Sequence, residues 1–267
     1  MHLNEHARMI ENTQVAERLH VMKLAAPKIA EQVKPGQFVH IRVPRMESHI
    51  LRRPFSIYDA DAQAGMLDIL YQEVGFGSAH MAHATFDEND EFELIGPIGN
   101  TWGSAVKSDG PVLLVGGGVG SAPIFMYAKQ LIEKGVDIDV VLGAQTESML
   151  VTRERYEQLL GRNPLCSTDD GTYGRAGFAT SLVDERIEQG TTSDGTPFAK
   201  VVVCGPPPLM KIVAQHALDA GIPCEVSLER RMACGIGACL SCVCDTEQGK
   251  KRVCVDGPIF DAAEVVW

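Results

Sequence analysis

One run of cysteines constrains this chain more than any other feature: Cys234-Gly-Ile-Gly-Ala-Cys239-Leu-Ser-Cys242-Val-Cys244, with Cys254 ten residues further on. Taken as Cys234, Cys239, Cys242 and Cys254, it is the plant-type spacing C-x4-C-x2-C followed by a remote fourth cysteine, in which four thiolates hold a 2Fe-2S cluster. Gly235, Gly237 and Ala238 are small enough for the backbone to curl around such a cluster and aim N–H groups at sulfur, offsetting its negative charge. Cys244 is left over and competes with Cys242 for the third position.

Two other uses of clustered cysteines stand beside this one. Disulfides suit a secreted chain, and Met1–His6 has no basic region leading into an apolar run, so no signal peptide is expected. Zinc also accepts four thiolates, but its structural sites usually pair two short Cys-x2-4-Cys motifs, whereas here three cysteines crowd together and one is remote. A zinc-stapled binding module is the non-redox alternative.

The 267 residues allow a sizeable core and suggest two modest domains plus an appendage. A formal charge of -11 disfavours a nucleic-acid partner, and no basic stripe opposes that reading. No apolar window approaches the roughly 20 residues that cross a bilayer, so the expected setting is the reducing cytoplasm.

From Gln14 to Val43 the chain falls into short, strand-like runs. Leu19–Leu24 alternates up to a break at Pro27, and Lys34-Pro35-Gly36-Gln37 turns into Phe38–Val43. Such runs predict a small antiparallel barrel. Arg52 and Arg53 in Leu51–Tyr58 can pair with phosphate, and Ser56 can donate to a phosphate or a flavin edge; a salt-bridged edge strand ended by Pro54 is the plain alternative. Tyr71, at the end of the strand Met66–Gln72, can lie against a ring system. Gly75, Gly77 and Ser78 open a predicted helix whose N–H groups would face an anion such as a pyrophosphate. Trp102 reads as core or interdomain packing.

After the link Lys107–Gly110 the period changes. Pro111–Val115 predicts a buried strand, Gly116–Gly120 a tight loop, and Ser121–Lys134 one amphipathic helix; Ile138–Leu142 and Arg153–Leu160 continue the alternation of a parallel sheet. Gly117, Gly118 and Gly120 permit close approach of a pyrophosphate, although the loop departs from the usual G-x-G-x-x-G pattern. Asp169 and Asp170 either meet a ribose or cap the next element, and capping is preferred. Lys200–Cys204, followed by Gly205 and Pro206, predicts a strand ending in a small thiol, which leaves room for a nicotinamide ring stacked on a flavin or simply fills the core. A final strand over Pro223–Glu229 delivers the chain to the cysteines, and Asp245–Arg252 predicts a polar hairpin.

In this order, Arg53-Pro54-Phe55-Ser56, the Gly116–Pro123 loop, Cys204-Gly205-Pro206 and the terminal cysteines resemble the ferredoxin-NADP reductase superfamily, and within it the electron-transfer subunits of NAD-dependent dihydroorotate dehydrogenases. The resemblance implies a β barrel plus α/β architecture: an antiparallel FAD-binding barrel over residues 1–106, a parallel-sheet NAD-binding domain over 107–222, and a small 2Fe-2S subdomain over 223–267. It implies that Arg53, Pro54, Phe55, Ser56, Leu70, Tyr71, Gln72, Gly77 and Ser78 contact FAD and that Cys234, Cys239, Cys242 and Cys254 ligate the cluster. The implied partner is an FMN-containing catalytic subunit that oxidises dihydroorotate, in a heterotetramer of two subunits of each kind. Related subunits of hydrogenases, sulfur-reducing and electron-bifurcating complexes share the layout with other partners.

Overall fold

The computed structural model describes residues 2–87, 89–107 and 109–267; Ser108 of the expected link lies outside the described residues. Alternating inward and outward side chains build the first sheet from β1 (Leu3–Ala16), β2 (Leu19–Ala25), β3 (Phe38–Arg42), β4 (Arg53–Ser56), β5 (Asp59–Asp61), β6 (Met66–Gln72) and β7 (Glu91–Ile98). All its pairings are antiparallel, in the order β4-β3-β7-β1-β2-β6-β5. The sheet curls until the Phe55 ring on β4 lies 5.8 Å from the Tyr71 ring on β6. Met22, Ile41, Leu67, Ile69, Phe92 and Leu94 fill its interior.

Two features of this half differ from the expectation. The part of β1 before Gln14 carries no strand signal, because Glu5, His6, Arg8, Glu11 and Asn12 hide its period behind polar side chains. Pro27 does not merely break the chain but opens a helix, α1 (Pro27–Gln32), where a missing N–H costs nothing. The buried Glu5 carboxylate accepts from the N–H groups of Lys28 at 2.9 Å and Ile29 at 2.8 Å. A second helix, α2 (Phe76–His83), follows β6.

The second sheet runs β11-β10-β9-β8-β12-β13-β16, using β8 (Val112–Gly117), β9 (Ile138–Ala144), β10 (Leu165–Thr168), β11 (Arg175–Ala176), β12 (Lys200–Cys204), β13 (Cys224–Ser227) and β16 (Ile259–Asp261). Every pairing is parallel except β13 with β16. Each residue of β8 and β12 is buried, as continuous apolar runs between helical layers require. The layers hold α3 (Phe125–Glu133), α4 (Arg153–Leu160), α5 (Thr180–Gln189) and α6 (Pro207–Asp219).

The expectation of one helix over Ser121–Lys134 is corrected. Gly118–Ser121 forms a separate 3-10 turn in which the Ser121 hydroxyl donates to the Gly118 carbonyl at 2.7 Å, and α3 begins only at Phe125. Pro123 lies between the two, lacking a donor and restricting the residue before it.

The cysteine segment adds one hairpin, β14 (Val243–Thr246) with β15 (Gly249–Arg252), and then contributes β16 to the α/β sheet. Its buried Cys242, Cys244, Val253 and Cys254 belong to a core shared with Val203, Val226 and Phe260 of that sheet and with Phe38 and Ile98 of the barrel. Asn100, after β7, fixes the join: its amide donates to the Ile259 carbonyl at 2.8 Å and accepts from the Ile259 N–H at 2.9 Å.

The barrel is tied to the α/β half by Trp102, whose indole donates to the Pro123 carbonyl at 2.9 Å, and by a buried ion pair. Glu225 meets Lys200 at 3.2 Å and also accepts from the backbone of Gly103, Ala105 and Val106, so it holds the connection between the two sheets. Those three N–H groups supply the additional hydrogen bonds that a buried charge needs.

Candidate redox site

Strand ends from all three parts of the chain meet at one groove of about 780 Å³. Arg53, Pro54, Phe55 and Ser56 on β4, Leu70, Tyr71 and Gln72 on β6, and Gly77 and Ser78 at the start of α2 all line it. Val119 and Pro123 enter from the glycine loop, and Ser227–Met232, which leads from β13 to Cys234, closes another side. Neither Val119 nor Pro123 was expected there, and the lining role of Ser227–Met232 depends on a tertiary juxtaposition that no local pattern signals.

Arg53 and Gly77 fit one another. A Cβ on Gly77 would fall 2.3 Å from Arg53 Nε, so the guanidinium lies directly on the glycine backbone at the α2 N-terminus. Arg53 donates to the carbonyls of His49, at 3.0 Å, and Leu51. Positive charge and free helix N–H groups at one point suit an anionic linker such as a pyrophosphate. The Ser78 hydroxyl is engaged locally: it accepts from the N–H groups of Val74 at 2.9 Å and Gly75 at 3.1 Å and donates to the Gly75 carbonyl. It shapes the loop instead of pointing a free hydroxyl outward.

Tyr71 is fixed from behind. Its hydroxyl donates to Asn12 at 3.1 Å and its ring stacks on His20, with centroids 5.3 Å apart. Burial pushes the phenol up to about 12, so the ring stays neutral.

Across the groove, the glycine loop and the end of β12 touch. A Cβ on Gly120 would lie 2.5 Å from the Cys204 carbonyl oxygen, and one on Gly117 would meet Leu209 at 2.4 Å. Gly118, at φ +54°, faces open space. A loop that only glycine can build, with one member open to solvent, suits close approach of a phosphate. Cys204 is buried at the end of β12, beside Gly116 in register, with Gly205 and Pro206 turning the chain into α6. Burial, and after it the Glu229 carboxylate, push the Cys204 thiol well above its ordinary range, leaving a small neutral side chain. Asp170 accepts from the N–H of Thr172 at 3.0 Å and from its hydroxyl at 2.7 Å, and so caps a turn.

The cysteine loop wraps its own sulfur. The Cys239 N–H donates to Cys234 Sγ at 3.4 Å. Burial pushes the Cys234 thiol up, but the N–H groups of Ile236, Cys239 and Ala238, with the Cys239 thiol, outweigh it and hold it at about 6. Gly235 and Gly237, at φ +68° and +81°, take the left-handed conformation that this curl requires. Burial and then the neighbouring Cys242 thiol push Cys254 up to about 12, as expected for sulfurs brought together. Cys244 donates instead to the Lys251 carbonyl, at 3.6 Å, within its own hairpin. Among the described residues no three His, Cys, Asp or Glu side chains converge on a single ion position. A two-iron cluster divides its four thiolates between two irons.

Family models match three consecutive stretches: an oxidoreductase FAD-binding domain over residues 6–102, an oxidoreductase NAD-binding domain over 114–215, and the iron-sulfur cluster binding domain of dihydroorotate dehydrogenase B over 229–266. The chain is 37% identical over 256 residues to the electron transfer subunit of dihydroorotate dehydrogenase B (NAD(+)) from Geobacillus kaustophilus, covering 94% of each chain. The chain belongs to the family of dihydroorotate dehydrogenase B electron transfer subunits. The member from Fusobacterium nucleatum is 34% identical over 258 residues, with 96% of this chain and 95% of the relative covered.

Among solved structures, an NADH-dependent reduced ferredoxin-NADP oxidoreductase studied for flavin-based electron bifurcation aligns with a TM-score of 0.84 at 30% identity, over 99% of this chain and 90% of that one. The ferredoxin NADP+ reductase of Neisseria gonorrhoeae shares the fold, with a TM-score of 0.66 at 17% identity over 86% of this chain and 94% of that one. The family thus has the ferredoxin-reductase-like fold and three consecutive domains for FAD, NAD and an iron-sulfur cluster, and this chain is a flavin and iron-sulfur oxidoreductase subunit. No helix among the described residues is long and apolar enough to cross a membrane.

Proposed function

We propose that this chain passes electrons from a catalytic partner, which holds FMN and oxidises dihydroorotate to orotate, through a 2Fe-2S cluster and FAD to NAD+, in the cytoplasm and as part of pyrimidine synthesis. The observation that carries this reading is the single groove in which the flavin strands β4 and β6, the glycine loop and the lead-in to the cysteines meet. Bound FAD supplies the exchange between single-electron transfer at the cluster side and hydride transfer at the nicotinamide side.

In this reading residues 1–106 hold the flavin, 107–222 the NAD and 223–267 the cluster. Arg53 and the α2 N-terminus bind the flavin pyrophosphate, with Gly77 allowing the approach and Ser78 holding the loop. Pro54, Phe55, Ser56, Leu70, Tyr71 and Gln72 form the walls against the ring. Gly117, Gly118 and Gly120 bind the NAD pyrophosphate, while Cys204, Gly205 and Pro206 leave space for the nicotinamide. Cys234, Cys239, Cys242 and Cys254 ligate the cluster. Cys242 takes the third place because its thiol meets that of Cys254, whereas Cys244 is committed to Lys251. Exposed Ile236 and Leu240 beside Cys239 offer the partner an apolar contact at the cluster edge. The assembly has two subunits of each kind.

Anaerobic co-purification of the native complex, followed by flavin, iron and sulfide analysis, tests the reading. Dihydroorotate-dependent NAD+ reduction by a complex containing FMN, FAD and a 2Fe-2S centre is the expected result. The match to the bifurcating oxidoreductase favours a second reading, a reductase module in such a complex. An intact flavin and cluster with a different partner and no orotate formed would select it.

A further inference from the structure

His40 is a fully buried histidine in the middle of β3, and both of its ring nitrogens lack a closed hydrogen bond among the described residues. Buried polar atoms are usually paired, and the acceptors that face this ring without a closed bond are the Arg52 and Cys234 backbone carbonyls. In the β3–β4 register His40 stands opposite Pro54, inside the strand that carries the proposed flavin contacts. On its other side the ring meets the cysteine loop: a Cβ on Gly235 would fall 2.6 Å from His40 Nδ1 and 3.2 Å from Cγ. Phe38, two residues earlier and therefore on the same face of β3, lines the flavin groove and packs in the core that holds Cys242 and Cys254.

We propose that His40 is the positioning residue that seats the cysteine loop against the flavin strand and so fixes the separation across which electrons pass between the two cofactor positions. The proposal rests on the cofactor positions argued above. The Arg52 and Cys234 backbone carbonyls face the ring, so the imidazole stands between β4's lead-in and the cysteine loop. In either protonation state an imidazole has at least one N–H to give. Arg52 cannot swing in to replace it, because its guanidinium is bound to Glu93 through the carbonyl at 2.7 Å and the carboxylate at 2.8 Å. Gly235 is then glycine for two reasons, its φ of +68° and the ring lying on it.

The test uses the full chain carrying flavin and cluster, mixed anaerobically with NADH, reading flavin bleaching by absorbance and cluster reduction by freeze-quench EPR. In His40→Leu, which keeps volume but has no N–H, flavin bleaching should stay within about twofold of the parent while cluster reduction slows by about tenfold or more, with an altered EPR line shape. His40→Asn, which keeps a donor, should recover most of that rate. Gly235→Ala should disturb the line shape as well, because its Cβ would fall on the His40 ring.

Parent-like cluster reduction and line shape in His40→Leu would overturn the proposal while leaving the cofactor assignment standing. If His40→Leu does not fold, a parent-like spectrum in Gly235→Ala overturns it equally. A parent protein whose flavin NADH does not bleach, or which shows no cluster signal, removes the cofactor assignment and this proposal with it.

Discussion

The barrel and the cysteine segment make a site in opposite ways. The barrel has a core of its own, in which Met22, Ile41, Ile69 and Leu94 hold β4 and β6 in place, and those two strands supply one wall of the groove. The cysteine segment has one two-stranded hairpin, and its buried sulfurs sit in a core owned mainly by the α/β sheet. A hairpin of two strands is marginal alone. The cluster position is therefore set less by its own roughly forty residues than by what they dock against: Phe38, Asn100, β13 and, in the proposal above, His40.

The largest expected effect tests the chemistry of the segment alone. Cys254→Ser should abolish the 2Fe-2S EPR signal and electron delivery to the partner, while FAD content and NADH oxidation with an artificial acceptor persist. Loss of flavin along with the cluster would show that the two regions are not separable in this way.

A second substitution attacks the shared core. Phe260 on β16 is buried between the α/β sheet and the cysteine segment, and Phe260→Ala should cost about 3–5 kcal/mol. Urea unfolding followed by both flavin fluorescence and cluster absorbance should show the cluster released first, with the barrel persisting. Coincident transitions would mean that the barrel also depends on that core.

The legibility of the sequence follows the same division. The cysteine spacing named the cluster because ligand chemistry is carried by residue type, and the valine runs of β8, β9 and β12 announced a buried parallel sheet. Strand β1 before Gln14 was hidden by its polar outward face, and the break at Pro123 was overridden by the apolar period running through it. The proximity of Ser227–Met232 to the groove between β4 and β6 had no local sign, since it results from β13 pairing with β12. His40 sits in Phe38–Val43, where the alternation reads as a strand whatever the histidine does. The cofactor types were thus local in sequence, and the distances between them were tertiary.

The smallest expected effect concerns the spare cysteine. Cys244 is tied to Lys251 inside the hairpin, so Cys244→Ala should leave iron content and EPR line shape unchanged and cost about 1–2 kcal/mol for the lost sulfur and its hydrogen bond. Loss of the signal would exchange Cys244 for Cys242 as the third ligand.

The most direct measurement of the central claim is an anaerobic NADH titration of the full chain, following flavin absorbance and EPR together. The account predicts that NADH bleaches bound FAD and that a reduced 2Fe-2S signal grows in as it does, with iron and acid-labile sulfide present at two of each per chain. Flavin that bleaches with no cluster signal, or cysteines that hold zinc in place of iron, would contradict it.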